Sequence, residues 1–94
     1  MGDEEPQQNF KKAILSKLWR RGVFGGRYIP IEKALSKIPR HDWDKAKDVI
    51  EEMHREGLVQ LHKNKDCISI NPPNKDEVKK LLEGHLPDFV LERR

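Results

Sequence analysis

Cysteine is nearly missing from this chain: Cys67 stands alone, so no internal disulfide can form and the usage fits a reducing compartment. Long apolar runs are missing too, and nothing approaches the roughly 20 residues that a membrane-spanning helix needs. The opening MGDEEPQQ is acidic where a secretory signal would be basic and then apolar, so a cytoplasmic location without membrane association is expected. Aromatic residues are only 6% and hydrophobic residues 35%, against 37% charged, which calls for a small core under a densely charged surface. Spacings that carry chemistry are equally scarce. His41, His54, His62, His85 and Cys67 include no cysteine pair two apart and no histidine pair four apart, so no metal site is read. GVFGGR lacks the Gly-Lys-Ser/Thr ending of a phosphate loop and follows no buried strand, which makes it a flexible turn. Gly25, Gly26 and Arg27 can still set backbone N–H groups and one guanidinium beside a phosphate. A single cysteine with scattered histidines and no serine motif supplies no catalytic constellation, and Cys67 is expected as a small apolar filler in a strand. Neither enzymatic activity, a cofactor nor a small-molecule substrate is expected.

What is present is a strongly polarised charge pattern. Ninety-four residues suit one domain, since a second core would leave each half unable to bury enough surface. Net charge is only +3, yet residues 10–40 hold nine bases against one acid, Glu32, while residues 41–60 hold three bases against six acids. Such a distribution bears on partners more than the total does.

Hydrophobic periodicity then orders the elements. Residues 1–8 show none and are expected to form a flexible leader, with a single domain over 9–94. Asn9 is a suitable cap for a first helix whose apolar side is Phe10, Ala13, Ile14, Leu18 and Trp19, closed by Gly22. Tyr28-Ile29 is a β-prone pair long enough for a bridge or edge strand. Pro30 suits the first turn of a second helix, Ile31 to Ile38, which Pro39 ends. A third helix, about 42–56, takes Asp42 as its N-cap and presents Trp43, Ala46, Val49, Ile50 and Met53 inward before stopping at Gly57. Leu58 to His62 and Cys67 to Asn71 alternate as half-buried strands, and Lys63 to Asp66 makes them a hairpin. Asn74 and Glu77 have the spacing of a capping box for a fourth helix through Val78, Leu81 and Leu82, with a tail packing through Phe89, Val90 and Leu91 over the rest of 74–94.

The order helix, bridge, helix, helix, hairpin, helix resembles a winged helix-turn-helix domain of the small stand-alone prokaryotic or archaeal type. The resemblance covers roughly Phe10 to Leu82 and rests most on PRHDWDKAKDVIEEMHREGLVQLHKNKDCISINPP, where a helix ends in acid-Gly-Leu-Val before a hairpin. It implies a mostly α fold with a small β-hairpin: a three-helix core, a two-stranded wing and a C-terminal helix. It also implies double-stranded DNA as partner and a role in transcription control, with helix three in the major groove and the wing (62–66) on the backbone or minor groove. The resemblance places Arg40, His41, Asp44, Lys45, Lys47 and Asp48 at the bases and Lys63, Asn64 and Lys65 at the wing tip, while Arg20, Arg21, Arg27 and Lys37 would anchor phosphates.

The acidity of helix three opposes this reading, because an acid facing a phosphate forfeits the gain of counterion release. Glu51, Glu52 and Glu56 lie in its second half, which a groove-docked helix would turn away from the duplex. Asp44 and Asp48 would accept from a cytosine amino group or pair with Lys47, Lys45 or Arg40. The bland counterpart is that the basic residues merely solvate the surface. Trp19 and Trp43 fall on apolar stripes, so core packing is expected over stacking against single strands. The rival reading is a protein-interaction adaptor that uses the acidic half of helix three and Leu81, Leu82, Leu86, Phe89, Val90 and Leu91, a surface that would equally serve a homodimer through the C-terminal helix.

Overall fold

The computed structural model describes residues 6–92; residues 1–5 of the expected leader, with Arg93 and Arg94, lie outside them. Helix α1 (Pro6–Arg21) starts ahead of Asn9, so that residue is interior and not the cap expected of it. Ile14, Leu15, Leu18 and Trp19 are all fully buried. Leu15 was not on the expected stripe. It is buried because α1 is covered on several sides, touching α3, α4 and β3 as well as α2, and a helix with neighbours all round needs a wider apolar face than one lying on a single layer. Gly22 closes the helix at φ 66°, with its N–H donated to the Trp19 carbonyl and that of Val23 to Leu18, the paired bonds of a Schellman stop.

Strand β1 (Ile29–Pro30) leads directly into α2 (Ile31–Ala34). Pro30 therefore belongs to the strand and the cap position, not to the first helical turn. It sits at the sheet's edge, where a missing N–H leaves no ladder bond unmade, and Ile31 N–H instead reaches the Asp66 carbonyl at 2.9 Å. The second helix is also shorter than expected. After Ala34 it tightens into three-residue turns, Ser36 N–H to Lys33 O and Ile38 N–H to Leu35 O, which still turn Leu35 and Ile38 into the core.

A 3-10 turn, Arg40–Asp42, precedes α3 (Trp43–Arg55). Asp42 makes no side-chain cap bond, against expectation; its carboxylate faces His41 at 3.6 Å, because the preceding turn already carries the backbone into a helical path. Ala46, Val49, Ile50 and Met53 are buried as their spacing predicts. Gly57 ends the helix at φ 81°, with Leu58 N–H on the Met53 carbonyl.

Strands β2 (Val59–His62) and β3 (Cys67–Ile70) form an antiparallel hairpin, and β3 also pairs with β1, giving the sheet order β1-β3-β2. Ile68 stands opposite both Ile29 and Leu61. The expected alternation fails at Ser69, which is as buried as Ile68 and Ile70. Its hydroxyl donates to the Gly25 carbonyl at 3.0 Å, so the second face of β3 is sheltered by the glycine turn and Ser69 is buried with its proton placed. Cys67, at the strand's start, is only half-buried.

Helix α4 (Lys75–Leu82) and the short α5 (Asp88–Glu92) complete a mostly helical architecture around the small antiparallel sheet. The capping box at Asn74 and Glu77 does not form. Asn74 spends its amide on the Gly57 carbonyl, which also receives the Asn71 amide at 2.8 Å. The tail packs on one side: Leu91 is buried, the Val90 carbonyl accepts the Trp19 indole N–H at 3.2 Å, and Phe89 stays 67% exposed.

Two glycines with the same left-handed backbone separate conformation from crowding. A Cβ at Gly57 would lie 2.8 Å from Asn74 Nδ2, whereas one at Gly84 (φ 83°) would meet nothing within 4 Å. Gly84→Ala is expected to cost about 1–2 kcal/mol, the left-handed penalty alone, and Gly57→Ala measurably more in the same urea titration. Trp19→Phe, which removes the bond to Val90, is expected to cost about 1–3 kcal/mol and to speed amide exchange in α5 ahead of α1.

Candidate nucleic-acid interface

With Ala46, Val49, Ile50 and Met53 turned inward, the 3.6-residue repeat leaves Asp44, Lys45, Lys47 and Asp48 exposed on the first half of α3, with Arg40 and His41 exposed just before it. Among the described residues neither Asp44 nor Asp48 is ion-paired, so of the two alternatives for these acids the pairing with Lys45, Lys47 or Arg40 does not occur. Arg40 instead lies over the Trp43 ring, 5.0 Å from its centre. Trp43 is half-buried and donates its indole N–H to the Ile38 carbonyl at 2.9 Å. Its packing ties the turn before α3 to the end of the second helical segment, and Arg40 covers the outer face. Trp19 is wholly inside.

The hairpin tip is built by three consecutive left-handed residues, Lys63 (φ 55°), Asn64 (φ 57°) and Lys65 (φ 71°), closed by Asp66 N–H on the Lys63 carbonyl at 3.1 Å. Left-handed backbone at Asn64 and Lys65 is the geometry that lets a tight turn follow the twist of its strands. All three side chains are exposed. Lys65 Nζ lies 3.5 Å from Glu51 Oε2, which brings the tip beside the middle of α3. Of the acids in the second half of the expected helix three, Glu51 faces the hairpin tip, and Glu56 pairs across to Lys11 of α1 at 3.1 Å. Glu52 is the acid of that half that stays exposed with no ion pair among the described residues.

The remaining basic candidates divide into two groups. Arg21 and Arg27 line an open groove of about 450 Å³ with Gly26 and Tyr28. Tyr28, 39% exposed, stacks on His62 at 4.4 Å between ring centres and 21° between planes, so this groove adjoins the tip end of the hairpin, where His62 pairs with Cys67. Arg20 and Lys37 instead border a separate cleft between α1 and the turn after α2.

The Tyr28–His62 stack was not found from the sequence, where Tyr28 stood out as β-prone and His62 as a strand end at the expected wing and a rejected metal ligand. Their meeting depends on the register that sets β1 beside β3, with His62 opposite Cys67. His62 Nε2 lies 2.9 Å from Ser69 Oγ, whose own proton goes to Gly25. The serine must then accept, so Nε2 carries the hydrogen and Nδ1 is left as the acceptor in the neutral ring.

Among the described residues no three His, Cys, Asp or Glu side chains converge to hold a metal ion, and no helix is long and apolar enough to cross a membrane. Comparison of the chain with family models, curated proteins and solved structures returns no match.

Proposed function

We propose that this chain is a winged helix-turn-helix protein that binds double-stranded DNA and acts in transcription control. The start of α3 reads bases in the major groove, and the hairpin tip holds the backbone or the neighbouring minor groove. The observation that carries the reading is the Lys65–Glu51 contact, because it sets the wing tip and the exposed face of α3 side by side on one surface. Support also comes from the element order and from a sheet ordered β1-β3-β2, in which the hairpin extends from the end of α3. Arg21 and Arg27, beside the Tyr28–His62 stack at the tip end of the hairpin, add phosphate donors. Duplex is favoured over single strands, since Trp19 is buried and Trp43 is half-buried beneath Arg40.

The wing cations differ in what they contribute. Lys63 has no acid partner among the described residues, whereas Lys65 is already matched by Glu51. Glu51 therefore acts as a brake on phosphate binding at the tip.

An adaptor or homodimer through the C-terminal segment keeps one specific observation, the exposed ring of Phe89. Leu82, Leu86 and Leu91 are buried within the chain and Leu81 is half-buried, so the apolar surface left for a partner is narrow.

In fluorescence-anisotropy titrations of duplex DNA over a salt series, Lys63→Ala is expected to weaken binding evenly across sequences and to flatten the log–log salt slope by up to ~1. Lys65→Ala should do so less, and Glu51→Gln should strengthen binding. Undetectable or salt-independent binding to every duplex at low salt defeats the proposal and returns the adaptor reading, which Phe89→Ser with sedimentation analysis then tests.

A further inference from the structure

The cleft between α1 and the turn after α2 has a composition that phosphate anchoring does not require. Its floor is Ala13, Ala34 and Ile38, its rim carries Lys17, Lys37 and Arg20, and Ser16 and His85 complete a lining that includes no acid. Ala34 and Ile38 are almost fully buried, so the floor is part of the core's outer wall and offers no hydrogen-bond donor. The hollow exists because small side chains line it from both sides, Ala13 from α1 and Ala34 from α2. It is also held open. Lys17 Nζ donates to Ser36 Oγ at 3.0 Å, which fixes the ammonium at the rim and ties α1 to the turn that carries Lys37.

We propose that this cleft binds a small organic anion, a single carboxylate on a compact apolar body, with the body on the alanine floor and the carboxylate between Lys17 and Lys37. Its volume is about 210 Å³. A dry apolar cavity of roughly 150 Å³ takes a benzene ring, so the cleft has room for a ring of that size and one carboxylate. An inorganic anion would satisfy the rim and leave the floor against water, and a neutral hydrocarbon would do the reverse. Only a ligand with both parts uses both surfaces. The site does not depend on the chain binding DNA. If it does bind DNA, a carboxylate held by Lys37 removes one of the cations available to phosphate, and the ligand would act as an effector.

The test is isothermal titration calorimetry of the full chain, without DNA, against sodium benzoate, benzyl alcohol and sodium phosphate. Benzoate is expected to bind saturably, and the alcohol and phosphate at least about tenfold more weakly, the worth of a charge-assisted hydrogen bond or of a buried ring. Lys17→Met and Lys37→Met should each weaken benzoate by about tenfold, and Ala13→Leu, which fills the floor, should abolish binding. Both lysine variants lie at accessible positions, so the test stands even if Ala13→Leu fails to fold. Absence of benzoate binding, equal binding of phosphate or of benzyl alcohol, or unchanged affinity in both methionine variants overturns the proposal. With DNA omitted, none of these outcomes bears on the duplex-binding reading.

Discussion

The Gly57 carbonyl is the point on which the arrangement of the chain turns. It stands where α3 stops and β2 begins, and it receives the side-chain amides of both Asn71 and Asn74, so the end of the hairpin and the start of α4 are tied to the same atom. Gln60 completes the cluster by donating to Asn71 Oδ1 at 2.9 Å, while Asn71 N–H reaches the Leu58 carbonyl. A half-buried acceptor served by two donors is costly to leave unpaired. The path of the hairpin relative to α3, and thus where its tip arrives, follows from this junction.

From that junction the charge distribution acquires a physical meaning. The segment from Asp42 to Glu56 is acidic as a whole, but two of its acids are engaged, Glu51 by the hairpin tip and Glu56, just past the end of α3, by α1. Asp44 and Asp48 stand exposed among Lys45, Lys47, Arg40 and His41. A face mixing unpaired acids and bases is weak as a general phosphate binder and better suited to discriminating among partners, where a misplaced charge is penalised. General affinity would come from Lys63 and from the arginines flanking the glycine turn, which lie beyond α3.

Much of the fold was legible because helical periodicity and glycine stops are local. Gly22 and Gly57 end their helices as their positions imply, and the inward residues of α3 are those its spacing selects. The errors have a common physical origin. Asn9, Asp42 and Asn74 all have the chemistry of caps, and none caps: the first helix extends past Asn9, a 3-10 turn absorbs Asp42's position, and Asn74 finds a better acceptor in Gly57. A side chain with several possible partners is assigned by which partner the fold brings close, and that is not a local property. Leu15 and Ser69 were missed for a related reason, since each is buried by elements distant in the chain.

The sequence by itself determined the order of the first four helices, the hairpin, the polarised charge and the short supply of metal-binding or catalytic spacings, because each is set by neighbours within a few residues, while the fifth helix, α5, was read only as a packing tail. Tertiary structure alone decided which charges are free and which surfaces adjoin. The Lys65–Glu51 pair, the Tyr28–His62 stack and the cleft between Lys17 and Lys37 all join residues that share no pattern along the chain. They meet because strand register and helix packing are set by burial of the whole core, and burial has no direction until every element is in place.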